Sequence, residues 1–468
     1  MPNQPSHDTE EGLPAPRRYF ALASVLAALV LVVLDGAIAN VALPTIAIAL
    51  KVSPAASVWV VTGYQMALVV ALLPCAALGE SLGYRRVFIT GATVFTAASV
   101  LCAASPSLPW LVAARFLQGL GGAAIMPMSL ALMRFTFPHR QLGSVIGWNA
   151  LTVALSSAIG PAIGATIISA ASWPWLFAVN LPVGMIVLLT SRALPTPQGS
   201  ARQLDFLSIA FNGVAFASLV LGAEFVITRP LLGGPLLALA AVSLVALIRR
   251  EMPRHAPLIP LDLLRDGSFR LSVIASVCCF TAQMASYVAL PFYLQHGLGQ
   301  NAFTTGLYMT PWPLTVAIAG PISGRLTNRI SGAWLCAAGG TCLSAGLALA
   351  CLWPLKGHPL PLVFFTMLGG LGFGFFQVPN NRSMLLSAPR ERSGAAGGMQ
   401  GMARLVGQTT GAVIMTMLFT LVSVQTAPRI GLAIACALAL AGGIVSVIRV
   451  GGGVANHASA VEPIKAAP

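Results

Sequence analysis

The chain alternates long apolar runs with short polar punctuation. Crossing about 30 Å of hydrocarbon takes roughly 20 helical residues, and runs of that order fall at 20–43, 57–78, 87–105, 109–132, 142–168, 175–192, 205–227, 231–249, 270–294, 304–325, 333–353, 360–380, 397–424 and 429–449. These fourteen stretches predict an all-α integral membrane protein, and their even number puts both tails on one side. The polar stretch at 193–204 reads as a linker and 250–269 as the longest loop, so 205–249 is an inserted helix pair between six-span bundles at 20–192 and 270–450. The tails are 1–19 and 451–468. No polar stretch is long enough for a soluble catalytic domain, which argues against an enzyme.

Charge sets the expected orientation. With the N-terminus in the cytoplasm, 20 of the 26 Lys and Arg residues fall in cytoplasmic loops and tails. Only Lys51, Arg229, Lys356 and Arg429 fall outside, while Arg115 and Arg404 sit within spans. This is the positive-inside pattern, and it predicts a multi-pass inner (plasma) membrane protein with both termini cytoplasmic. The formal charge of +14 raises nucleic acid as a partner, but the cations come in ones and twos between apolar runs and not in a stripe, so nucleic acid is excluded. A composition 57% hydrophobic and 8% charged compares with about a quarter charged in soluble domains; lipid is the solvent. The eight cysteines lie in or beside apolar runs and read as small packing residues. The first apolar run is too long for a signal-peptide core and is retained. No cofactor or metal site is expected.

Charges inside a bilayer are costly and are functional candidates by default. Asp35 lies deep in the first run, within LDGAIANVALP, with Asn40 and Pro44 further along. Arg115 opens RFLQGLGGAA, where Gln118 shares its face one turn on and small residues allow close helix approach. The bland alternatives are an Asp that only joins two helices and an Arg that snorkels to the headgroups. Between the second and third runs, ALGESLGYRR places Glu80 at a helix exit, Gly83 at a tight turn and Arg85 with Arg86 as cytoplasmic cations. GWNALTVALSSAIGPAIG carries Gly147, Gly160, Pro161 and Gly164, which make its helix thin and bendable.

Taken in order, these segments give the chain a resemblance to the major facilitator superfamily, specifically its fourteen-span branch similar to drug:proton antiporters. LDGAIANVALP resembles that branch's first-span motif, RFLQGLGGAA its fourth-span motif and SSAIGPAIG its antiporter motif. WPWLFAVNLPVG and LPFYLQHGLGQNAFTTGL resemble its segments entering span 6 and leaving span 9. The chain departs from the pattern at Glu80, usually Asp, and at Ala76, usually Gly; in the second half Asn328 stands at the acidic position and Ser331 at a glycine, and Ser156 replaces a frequent Gly. The resemblance implies two six-helix bundles rocking about a midplane site, with the proton as coupling ion.

On that reading Asp35 carries the exchanged proton and Arg115 tunes its affinity, both approaching the central site at similar depth. Glu80, Arg85 and Arg86 form a cytoplasmic latch, and the glycines with Pro161 serve conformational change. Candidate substrate contacts are Asn40, Tyr64, Gln65, Gln118, Phe280, Gln283, Met284, Tyr287, Trp312, Phe376, Gln377 and Asn380, although a stripe of aromatic and Met residues equally describes helix packing. Glu224, near the outer end of the seventh run, is expected to pair with Arg229 or face solvent. The expected function is secondary active transport, proton-coupled export of hydrophobic or cationic drugs, with a metabolite carrier as the alternative and a non-transporting sensor or scaffold as a third reading. Partners are the lipid bilayer, a small-molecule substrate and protons. A periplasmic adaptor with an outer-membrane channel is left open by these residues.

Overall fold

The computed structural model describes residues 12–196, 205–252, 261–327, 329–354, 360–388 and 393–458, so Asn328 and Lys356 lie outside the described residues. No strand occurs among them. The α-helices are α1 Arg17–Ala49, α2 Pro54–Leu82, α3 Tyr84–Ala103, α4 Leu108–Thr136, α5 His139–Ala170, α6 Trp175–Ala178, α7 Asn180–Thr190, α8 Phe206–Thr228, α9 Pro230–Glu251, α10 Gly267–Phe292, α11 Ala302–Met309, α12 Pro311–Leu326, α13 Gly332–Leu352, α14 Pro361–Leu386, α15 Ser393–Leu421 and α16 Ala427–Ala458.

Among the described residues, thirteen helices are long and apolar enough to cross a membrane. The tenth expected span is the pair α11 and α12, divided at Thr310. Pro311 has no N–H to return to the preceding turn, yet Thr310 keeps helical angles and Leu314 donates to its carbonyl at 3.3 Å, so the two pieces run on from each other. The sixth span divides in the same way at Val179, three residues before Pro182.

Local chemistry fixes the helix ends. Ser53, Asp205, Asp266 and Asn301 accept from backbone N–H groups at the starts of α2, α8, α10 and α11, the ordinary N-cap arrangement. Gly83 turns α2 into α3 with φ of 97°, a conformation that a side chain resists.

α1 to α7 pack as a first bundle, through α3 and α2 on α4 and through α5 and α7 on α1; α10 to α16 form a second, through α13 on α14 and α16 and α10 on α15 and α16. The inserted helices α8 and α9 pair with each other, and α8 lies on both α2 and α15. Asn212 of α8 donates to the Val70 carbonyl of α2 at 2.8 Å, and the Phe225 ring lies 6.0 Å from that of Trp59. α9 turns Leu231, Val242 and Val245 outward, as a lipid-facing helix does.

The bundles meet along two seams, α2 against α15 and α5 against α11 and α12, with α1 touching α10 between them. Lipid tails give apolar helices little reason to associate, so close approach depends on small residues. A Cβ on Gly160 would lie 2.5 Å from that of Ala37, and one on Gly164 would lie 3.3 Å from Ile38 Cα, which seats α5 on α1. Gly306 sits against the Pro161 carbonyl, where a Cβ would come within 2.6 Å. The motif around Gly160, Pro161 and Gly164 thus serves both the interior of the first bundle and the second seam. Gly147 lies earlier on α5.

Candidate functional site

Asp35 and Arg115 meet in the interior of the first bundle, each 1% exposed. Arg115 Nη1 donates to Asp35 Oδ2 in a buried ion pair and to Gln118 Oε1 at 2.6 Å, while Nε donates to the Val60 carbonyl at 3.1 Å. Arg115 and Gln118 are three residues apart on α4 and so share a face. Asp35 Oδ1 accepts from Gln118 Nε2 at 3.0 Å and from Asn180 Nδ2 at 2.7 Å. Ser99 of α3 gives its proton to the Phe95 carbonyl and accepts from Gln118 at 2.8 Å. The guanidinium lies over the Tyr64 ring at 4.3 Å and the Phe177 ring at 5.5 Å. Five spans therefore converge on one carboxylate.

This places the pair differently from the expectation in one respect. Among the described residues every partner of Asp35 and Arg115 is in the first bundle, so they are enclosed within it and do not lie open between the bundles. Asn180 and Ser99 are neutral; Asn180 falls within WPWLFAVNLPVG but nothing singles it out there, and no charge or motif position marks Ser99. Asn180 opens α7 just after the break at Val179, which aims its side chain inward at Asp35.

The second bundle holds a matching polar centre that the sequence reading missed. Arg449, at the edge of the last apolar run, reads as an orientation signal, but it is only 7% exposed. It donates to Ser272 Oγ at 2.5 Å, Asn380 Oδ1 at 3.1 Å and Cys336 Sγ at 3.6 Å. Asn380 Nδ2 in turn donates to the Ser272 carbonyl and to Ser276 Oγ. Asn380 thus belongs to this centre, away from the seams.

The remaining candidates divide. Phe280 stands edge-on to Phe373 of its own bundle with rings 5.2 Å apart, and Met284 packs against Gly411; both are buried packing residues, as is Phe376. Tyr287 is half-buried, pairs edge-on with Trp312 at 5.5 Å, and reaches the small cluster of Val41, Ala165 and Met309 where the bundles meet. Gln283 and Gln377 are partly exposed. Asn40 donates to the Gly36 carbonyl at 2.9 Å. Asn40 Oδ1, Gln65 Oε1 and Trp312 Nε1 are buried without a hydrogen-bond partner.

In the α2–α3 turn, Glu80 is half-buried, Arg86 is exposed, and Arg85 donates to the Arg192 carbonyl at 3.3 Å within the same bundle. Glu224 is 6% exposed and forms no ion pair with Arg229; it faces Thr416 of α15, and its Oε2 has no partner. The expected pairing or exposure is replaced by burial, because α8 lies on α15 along that face. All eight cysteines are free thiols, buried or half-buried.

A membrane-embedded helical fold with a buried ion pair in one of two bundles defines a transporter scaffold. The chain belongs to the Major Facilitator Superfamily, whose profile matches residues 25–411 and 272–458, and it is a membrane transporter with no enzymatic role. It is 42% identical over 450 residues to the uncharacterized transporter YebQ of Escherichia coli (strain K12), covering 94% of this chain and 97% of that one. It is 30% identical to the riboflavin transporter RibZ of Clostridioides difficile (strain 630), covering 82% and 85% of the two chains. The tetracenomycin C resistance and export protein of Streptomyces glaucescens is 28% identical, with 89% and 78% covered. A crystal structure of a POT family transporter in complex with a thioalcohol-conjugated peptide shares the fold, with a TM-score of 0.74 at 13% identity over 93% of this chain and 96% of that one.

Proposed function

We propose that this chain exports hydrophobic, aromatic small molecules across the inner membrane in exchange for protons, as a member of the fourteen-span drug:proton antiporter branch. The observation that carries the reading is Asp35, a carboxylate whose two oxygens are held by Arg115 and Gln118 of α4 and Asn180 of α7, from two other spans. Protonation removes the charge that holds Arg115 and weakens two further acceptor contacts, so one proton loosens the packing of α1 against α4 and α7. One proton moving down 100 mV supplies about 2.3 kcal/mol, or roughly 1.7 decades of solute gradient. The excess of cations on the face where α1 begins supports a cytoplasmic location for both tails. The similarity to a tetracenomycin C resistance and export protein supports export, and the Tyr287–Trp312 ring pair near where the bundles meet supports the aromatic substrate class.

Everted vesicles test this: proton release is read against a panel of aromatic compounds for wild type and Asp35→Asn. Substrate-dependent proton release that Asp35→Asn abolishes is the expected result. Full proton-driven accumulation by a correctly inserted Asp35→Asn protein removes Asp35 from the mechanism. A second reading, a carrier for a physiological metabolite, is favoured by the similarity to the riboflavin transporter; the same panel separates the two if it includes riboflavin.

A further inference from the structure

The charge of the carried molecule follows from the α2–α15 seam, an inference that rests on the transport reading above. Arg404 lies eleven residues into α15, about 16 Å from its start at 1.5 Å per residue, inside the apolar stretch Ala396–Leu421. It reaches across to the first bundle, with Nη2 3.9 Å from Met126 Sδ of α4, and it is close enough to Tyr64 of α2 to act on it electrostatically. Its Nε is buried without a hydrogen-bond partner. Among the described residues no carboxylate pairs with it: the carboxylates well inside spans are Asp35, already held by Arg115, and Glu224, which faces Thr416 on the flank covered by α8.

A guanidinium without counter-charge is costly in a low-dielectric interior, and such residues within membranes mark ligand or ion paths. Gln65 follows Tyr64 on α2, and its buried Oε1 has no partner, an acceptor left for a neutral donor group on the ligand. An ammonium ligand would add positive charge beside Arg404. An organic anion would neutralise it, and the planar fork of Arg suits a carboxylate. We infer that the transported molecule is an aromatic acid, its anionic group seated on Arg404 and its apolar body between the bundles.

Three naphthalene probes of similar size test this: 1-naphthoate, 1-naphthylmethanol and 1-naphthylmethylammonium. Binding is measured on the purified full-length protein and uptake in everted vesicles. The acid is expected to bind about tenfold or more tighter than the alcohol, the scale of one charged hydrogen bond, with the ammonium weakest. Arg404→Gln is expected to bring the acid down to the alcohol's affinity and leave the alcohol unchanged; Arg404→Lys keeps part of the preference. Equal or inverted ranking in wild type, or an Arg404→Gln protein that still prefers the acid, overturns the inference. Should Arg404→Gln fail to fold, the wild-type ranking and Arg404→Lys decide. Transport of the alcohol or the ammonium without the acid leaves the transport reading standing and removes this one; no binding or transport of any probe removes both.

Discussion

Arg115 in the first bundle and Arg449 in the second are each held among the helices of their own bundle, but the two are balanced in different ways. Arg115 faces a carboxylate, so its centre is neutral overall and can be unbalanced by a single proton. Arg449 faces Ser272, Asn380 and Cys336, all neutral acceptors, so that centre keeps its charge whatever the proton supply. The contrast teaches where a proton could act. In the proposed mechanism the first bundle changes its internal contacts during the cycle, and the second is a fixed body against which it moves.

The sharpest way to break this comparison is Asp35→Asn, which is expected to reduce proton-driven uptake in everted vesicles to background while counterflow down a substrate gradient survives. Next in size is the cost of stranding a charge. Arg115→Gln and Asp35→Asn each break a buried pair, worth about 3–5 kcal/mol, and are expected to lower the midpoint of thermal unfolding in detergent. The double variant should lose less than the sum of the two, since neither charge is then stranded. Asn180→Leu removes one hydrogen bond to the carboxylate, about 1.5–3 kcal/mol, and is expected to lower the midpoint of thermal unfolding by less than either charge variant does. Arg449→Gln is expected to have the smallest effect. It strands no opposite charge: neutral acceptors lose a donor, about 1 kcal/mol, and the relief of an uncompensated buried cation offsets part of that. A fall in melting temperature as large as that of Arg115→Gln would mean the second centre is no passive counterpart.

The spans were legible because lipid demands about 20 apolar residues each. Asp35 and Arg115 stood out because charge is rare in such runs, and Gln118 followed from helical spacing. The role of Asn180, although it lies within WPWLFAVNLPVG, and that of Ser99 were not legible: neutral polar residues are common in membrane helices, and only the packing of α3 and α7 on α1 and α4 shows which of them meet the carboxylate. Arg449 was obscured by its place at the end of an apolar run, where a cation ordinarily snorkels. Phe280 and Met284 share a helical face that the sequence shows, but periodicity does not say whether that face meets its own bundle or the seam. Glu224 failed for the same reason, since the neighbour that buries it is 192 positions away at Thr416.

The hairpin of α8 and α9 lies over the line where α2 and α15 meet, anchored by Asn212 and by Phe225 near Trp59. Along the other line, α5 carries exposed Leu151, Leu155 and Ile159 on its surface. A lipophilic compound diffusing within one leaflet therefore approaches a molecule with a shuttered flank and a bare one. Among the described residues the hairpin covers the α2–α15 line alone, so the two flanks offer the bilayer different surfaces.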